Sequence, residues 1–208
     1  MKATIIDYGI GNIFSVSSAI KKVGHDSILT KNRSKILDSE LVLLPGVGSF
    51  DKAMNKLSKF DLDHILLDYI KTGKKILGIC VGMQLMLDVG EEGEETKGLS
   101  IFRGRVKKIK NENSVYPNLS IPHISWSKVQ LNGEQKKFYE DFKKQNYMYF
   151  IHSYNCYLDN QNEISSYTYY GDLKLTASIQ RDNVTGVQFH PERSGKQGLL
   201  FLKKYIES

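Results

Sequence analysis

Two hydrophobic periods divide the chain. Through the first ninety residues, short apolar runs alternate with stretches in which apolar side chains recur every three or four positions. Residues 2–7 (KATIID) predict a buried strand. Over 12–23, Ile13, Val16, Ala19, Ile20 and Val23 share one helix face, and Gly24 stands where a helix stops. DSILT reads as a weaker second strand, and LVLLPGVGSF as a stronger third that ends in a Pro-Gly-x-Gly loop. Helices are predicted over about 51–59 and 62–72, the second closed by Gly73. KKILGIC is a further apolar strand, predicted to turn at once into a helix over about 82–88. Four such alternations argue for an open, mostly parallel sheet flanked by helices on both faces.

The period changes after residue 90. GLSIFRGRVKKI, HISWSKVQL, YMYFIHSYNCYL, ISSYTYY, LTASIQ and VTGVQFH are strand-like segments with polar breaks, which predicts an antiparallel extension. The acidic EEGEETKG and lysine-rich NGEQKKFYEDFKKQ are expected at the surface as loops or short helices. Residues 195–206 return to helical spacing with Leu199, Leu200, Leu202 and Ile206. Neither an internal repeat nor a low-complexity linker interrupts the chain, so residues 1–208 are expected to form one α/β domain.

Composition narrows the class. The 208 residues are 40% hydrophobic and 25% charged, ordinary for a globular chain with a sizeable core. The net charge of +6 comes from lysines scattered singly or in pairs, without an arginine-rich arm, which fits a solvated surface rather than a nucleic-acid footprint. MKATIIDYG lacks the long apolar region of a secretory leader, and ILGICVGMQLML stays below the ~18 residues of a membrane span. Two cysteines, Cys80 and Cys156, exclude a disulfide-dense scaffold and fit a reducing cytoplasm.

Four glycine-bearing or histidine-bearing motifs could carry chemistry. DYGIGNIF offers Gly9 and Gly11 as a dinucleotide loop, but Phe14 occupies the third glycine position and SILTKN supplies no acid for a ribose. LGICVGMQ is more informative. Gly78-x-Cys80-x-Gly82 between a strand and a helix is the nucleophile-elbow pattern with Cys in place of Ser. Such a turn sets the sulfur at a helix N-terminus, which favours a thiolate. Alone, the motif fits an inert buried cysteine equally well. In GVQFHPERSG, His190 ends a strand two residues before Glu192, a carboxylate placed to orient the ring. In LPGVGSF, the loop Pro45-Gly46-Val47-Gly48 can present backbone N–H groups, with that of Val81, to an oxyanion. A nucleophile, a base, its orienter and oxyanion donors thus all fall at the carboxyl ends of predicted parallel strands, where open α/β sheets bind ligands.

GICVGMQ, FHPE and PGVG resemble the class I, triad-type glutamine amidotransferases. IIDYGIGNI, LLPGVGSF, GICVGMQLML, IPHISW, YFIHSY and GVQFHPERSG, in that order from end to end, are similar to the glutaminase subunits of imidazole glycerol phosphate synthases, the HisH type. The resemblance implies the single-domain fold of that class. It implies Cys80 as nucleophile, His190 as general base and acid, and Glu192 as its orienter. It further implies an oxyanion hole from Val47, Gly48 and Val81, and a glutamine site from Gly46, Gly48, Gln84, Glu92, His152, Ser153 and Tyr154. His123 and His152 are rival bases, but neither has an acid two residues on.

No cofactor and no metal are implied. The implied partner is a (β/α)8-barrel synthase subunit, the HisF type, forming a heterodimer and receiving ammonia through its interior. Asn12, Trp126 and Arg193 are the residues expected at that interface, and a peptide flip near Val47 is the expected switch. The family commonly carries Pro-His-Met-Gly-Trp-Asn where this chain has Pro122-His123-Ile124-Ser125-Trp126-Ser127, and Lys in place of Arg193. These departures leave two alternatives beside histidine biosynthesis: a paralogous glutaminase that amidinates a surface-glycan sugar, and a non-catalytic interaction subunit.

Overall fold

The buried runs of the first half become neighbouring strands because each is apolar on both faces. In the computed structural model, which describes residues 2–112, 115–116, 119–132 and 146–208, the elements follow in this order. Strand β1 (Lys2–Ile6) leads through α1 (Ile13–Lys22) to β2 (Asp26–Thr30), and α2 (Arg33–Asp38) to β3 (Leu41–Gly46). Helices α3 (Phe50–Lys59) and α4 (Leu62–Lys71) precede β4 (Lys75–Cys80), which runs into the single turn α5 (Val81–Gln84). Then come β5 (Leu87–Gly90), β6 (Thr96–Lys97), β7 (Phe102–Lys108), β8 (His123–Leu131), β9 (Tyr147–His152) and β10 (Tyr154–Leu158). The chain closes with β11 (Ile164–Tyr170), β12 (Leu173–Arg181), β13 (Val184–Val187) and α6 (Gly195–Glu207).

The main sheet has the order β2-β1-β3-β4-β13-β12-β11-β8-β9. Strands β2, β1, β3, β4 and β13 run parallel, whereas β13–β12, β12–β11, β11–β8 and β8–β9 pair antiparallel. The expected mostly parallel sheet with an antiparallel extension is therefore a mixed sheet whose parallel half carries the early strands. Helix α1 packs with α6, while α2 and α3 pack on α4. Right-handed crossovers place these two groups on opposite faces, because the chain first moves outward from β1 to β2 and then back across to β3. That reversal makes the carboxyl ends of β1 and β3 a switch point, where an open sheet leaves a crevice.

Burial follows the predicted stripe in α1, with Val16, Ala19 and Ile20 buried against the sheet. All six residues of β3 are buried, as are the last five of β4. Removing such aliphatic side chains from water contributes roughly 1.5–3 kcal/mol each.

Three expectations need correction. The helix predicted over 82–88 stops at Gln84, and Leu87–Gly90 form β5 instead. The apolar run there is equally suited to a strand, and pairing with β7 and β6 in a second sheet of order β10-β7-β5-β6 decides the outcome. The six-residue helix α2 went unpredicted; it has the capping signal in Asn32, whose side chain accepts from the Lys35 N–H, but only one buried residue, Ile36. YMYFIHSYNCYL is not one strand but two, β9 and β10, which break at Ser153 and enter different sheets. The acidic segment contributes the two-residue β6, and the lysine-rich segment lies, beyond Asn132, outside the described residues. No helix among the described residues is long and apolar enough to cross a membrane.

Candidate active site

Strands β3 and β4 are in register so that Gly46 lies opposite Cys80, which brings the two glycine motifs side by side. Cys80 ends β4 with φ 56° and ψ −112°, a conformation that L-residues seldom adopt and that costs on the order of 1–3 kcal/mol. The flanking glycines permit this turn. A Cβ on Gly82 would collide with the Leu44 carbonyl, and one on Gly78 would sit 2.7 Å from the Gly82 oxygen. The chain therefore folds back tightly enough to aim the Cys80 side chain off the end of the sheet, with Val81 supplying the first N–H of α5.

His190 arrives three residues beyond β13, the strand beside β4. Its Nδ1 lies 2.8 Å from Glu192 Oε1, with both side chains almost wholly buried. A carboxylate only accepts, so Nδ1 carries the proton and Nε2 is left for the Cys80 sulfur, to which the ring also bonds. The intervening Pro191 opens a short 3-10 turn, and Ser194 Oγ donates to the His190 carbonyl at 2.6 Å. Burial pulls the His190 imidazole down, but the Cys80 sulfur and the Glu192 carboxylate outweigh it and raise it to about 10. The ring is an imidazolium at neutral pH.

A cavity of about 820 Å³ opens over this group. Its floor is Cys80, Val81 and Gln84; Val47, Gly48 and Glu92 form one wall, and His152, Ser153 and Tyr154 another. Asn12 and Arg193 stand at the cavity as well. Two of the expected glutaminase residues do not line it: Glu192 stands behind His190, and Gly46 lies buried beneath, where a Cβ would meet the Gly82 nitrogen at 2.6 Å. Glu92 Oε2 accepts from the Phe50 N–H at the start of α3 at 2.9 Å, which ties its loop to the cavity wall. Trp126 does not line the cavity; it is exposed on β8, edge-on to Tyr149 at 6.0 Å. Arg193 stacks over the same Tyr149 ring at 5.0 Å, a cation–π contact within the chain. Asn12 makes no side-chain cap on α1.

The rival histidines are occupied. His152 Nδ1 lies 2.8 Å from the Tyr154 carbonyl and must donate to it. His152 Nε2 then accepts from His123 Nδ1 at 3.0 Å, and the His123 Nε2 lone pair faces the Ser125 and Ser127 hydroxyls at 2.8 and 2.9 Å, one of which donates to it. Burial drives both rings down, to about 4 for His123 and about 3 for His152.

Three neighbours of the site escaped the sequence reading. Tyr8, buried behind the first glycine turn, donates to the Pro45 carbonyl at 2.6 Å and so ties DYGIGN to PGVG. Burial, and then Cys80, push its phenol well above the ordinary tyrosine range. Gln188 donates to the Cys80 sulfur at 3.6 Å, and Tyr149 forms the Arg193 and Trp126 contacts. The available signals were a polar residue in an apolar strand end for Gln188 and the Tyr-Gly-x-Gly turn for Tyr8. One cluster of metal-type ligands occurs among the described residues, Asp61, Asp63 and His64, and it is largely exposed and shares nothing with the cavity.

Positioned sulfur, a protonated ring bonded to it, and loop N–H groups across the cavity are the parts of acyl-transfer chemistry. Residues 4–206 match the family model for glutamine amidotransferase class-I, and the chain belongs to that family. Among its relatives is imidazole glycerol phosphate synthase subunit HisH of Prochlorococcus marinus subsp. pastoris, 43% identical over 210 residues and covering 100% of this chain and 98% of that one. The subunit of the same name from Pelagibacter ubique is 39% identical, covering 99% of each chain. The fold is shared with PurLQS from Thermotoga maritima, with a TM-score of 0.74 at 16% identity over 99% of this chain and 97% of that one.

Proposed function

We propose that this chain is the glutaminase subunit of an imidazole glycerol phosphate synthase, a single cytoplasmic domain over residues 1–208. The observation that carries the reading is the Cys80 sulfur, held on a strained elbow against a buried His190–Glu192 pair. The Cys80 thiolate attacks the side-chain amide carbon of glutamine. Backbone N–H groups of Val47 or Gly48 and of Val81 hold the oxyanion; losing one such donor typically costs about 100- to 1000-fold. The His190 imidazolium gives its proton to the departing ammonia, leaving a glutamyl thioester, and then takes a proton from the water that hydrolyses it. Gln84, Glu92, Ser153 and Tyr154 bind the rest of glutamine, and His152 braces that wall.

Ammonia released to bulk water is protonated and diluted, so a partner must cover the cavity. Phe14 is 83% exposed and Trp126 52%, with Ile124 and Ile151 beside Trp126 on the β8–β9 ladder, an apolar rim suited to docking. A (β/α)8-barrel synthase subunit of the HisF type is the partner proposed for this rim, with Asn12, Trp126 and Arg193 in the contact and the Val47 peptide as the switch. The names of the relatives favour histidine biosynthesis over glycan amidination. In a reconstituted complex, Cys80→Ala should abolish glutamine-dependent synthesis and leave ammonia-dependent synthesis intact. Glutamine use surviving that substitution would overturn the assignment.

A further inference from the structure

The Cys80 sulfur has a second donor besides His190. Gln188 and His190 are alternate residues at the end of one extended segment, so both turn toward Cys80 while Phe189 between them turns into the core. Gln188 is fully buried and its Nε2 lies 3.6 Å from Cys80 Sγ, within reach for a hydrogen bond to sulfur.

Donor and acceptor arithmetic fixes which end of that amide faces the sulfur. The Tyr154 carbonyl can only accept, and it takes Gln84 Nε2 at 3.3 Å as well as His152 Nδ1 at 2.8 Å. The amide nitrogen of Gln84 therefore points that way, and its other proton meets Gln188 Oε1 at 3.0 Å. With its oxygen so engaged, Gln188 must present N–H to Cys80. Turning over Gln84 would set its oxygen against the Tyr154 and Gln188 oxygens, and turning over Gln188 would set two amide N–H groups against each other, each at a cost of one or more lost hydrogen bonds in a buried place.

We propose that Gln188 is a further catalytic residue, a donor that holds the Cys80 sulfur as a thiolate, and that Gln84 is the positioning residue that aims it. The proposal rests on the reading of Cys80 as nucleophile. A donor to the charged form of a group favours that form, and a bond to an ionised acceptor is worth more than a neutral one. The thiolate is thus held from two sides, by an imidazolium that carries the reaction's proton and by an amide that cannot give its proton away. Such a fixed donor also limits the sulfur to one direction of attack.

The test is the pH profile of Cys80 alkylation by iodoacetamide in the full-length chain, read by mass spectrometry. Cys156 is fully buried, and burial pushes its thiol up, so it stays silent. Gln188→Met, which keeps length and removes the donor, should move the profile up by about one pH unit, which is about tenfold slower labelling on the rising limb. Gln84→Met leaves Gln188 in place but unaimed, and should move it in the same direction by less. It also decides the matter if Gln188→Met does not fold. A folded variant with an unmoved profile, whatever its kcat, would reduce Gln188 to packing and overturn the proposal. Because labelling needs no glutamine, the two claims separate. A shifted profile in a chain whose complex cannot hydrolyse glutamine would uphold the sulfur bond and remove the glutaminase reading.

Discussion

Two buried histidine sites face the same cavity and end in opposite charge states. His190, His123 and His152 are 3%, 0% and 6% exposed, so burial opposes a positive charge on each. At His190 the neighbours are the Glu192 carboxylate and the Cys80 sulfur, and the ring rises to about 10. At the other site the partners are neutral: a carbonyl, two serine hydroxyls and the second imidazole, and the rings fall to about 4 and about 3. Accessibility alone does not separate a base from a strut. The charge of what the ring touches does, and so does whether a ring nitrogen is left over. His190 keeps Nε2 for chemistry, whereas all four nitrogens of the His123–His152 pair are committed to the β8–β9 ladder and the turn that carries Ser153 and Tyr154.

The comparison is broken most severely at Glu192. Glu192→Gln keeps the shape, removes the charge and leaves His190 with a neutral partner. Glutamine hydrolysis in the complex should fall by about 100- to 10,000-fold, the range a well-placed acid–base group supplies. The His190 titration, followed by NMR, should move down from about 10. An unmoved titration would mean that partner charge is not what distinguishes the two sites.

A smaller effect appears in stability against pH, where the two sites act with opposite sign. His190 binds its proton more tightly in the fold than in the unfolded chain. Its contribution is fully present below the ordinary histidine value of 6.5 and is lost as pH rises through about 10. His123 and His152 are neutral in the fold, and the unfolded chain takes up protons below 6.5. Their contribution is lost as pH falls from 6.5 toward about 4 and about 3. Urea unfolding across this range should show a maximum near neutrality, with the alkaline arm flattened in Glu192→Gln and the acid arm unchanged. An acid arm that flattened in that variant would show the sites to be coupled rather than contrasted.

The sequence was most legible where chemistry is local. Gly78, Cys80 and Gly82 lie within five residues, and His190 and Glu192 within three, so strand ends and spacing were enough to anticipate the elbow and the ring–carboxylate bond. The parallel half of the sheet followed from buried runs whose partners are fixed by crossover rules. What stayed hidden was decided between distant segments. Gln84 and Gln188 meet across 104 residues, and Tyr8 reaches Pro45 across 37, with no periodicity to announce either contact. Leu87 to Gly90 became a strand because β7 lies alongside, which no local propensity for that apolar run could reveal. His123 and His152 were ranked below His190 for want of a following acid. The fold adds the stronger reason, a cross-strand pairing of the two rings in β8 and β9.

The smallest expected effect probes what keeps the neutral site neutral. On β8, residues 123, 125 and 127 share one face, so His123, Ser125 and Ser127 point together while Ile124 and Trp126 point outward to the exposed rim. His123 Nε2 has one lone pair, and the two hydroxyls are 2.6 Å apart. One hydroxyl donates to the ring and the other donates to the first. Deleting either leaves a donor in reach, so Ser125→Ala and Ser127→Ala should each cost less than about 1 kcal/mol in urea unfolding. Deleting both strands a buried acceptor, which costs about 1–3 kcal/mol, so the double variant should exceed the sum of the singles. These serines stand where the family commonly has glycine and asparagine, and the non-additivity would mark them as a shared cap on the histidine pair. Strict additivity would mean that His123 finds its donor elsewhere and that the two serines are no shared cap.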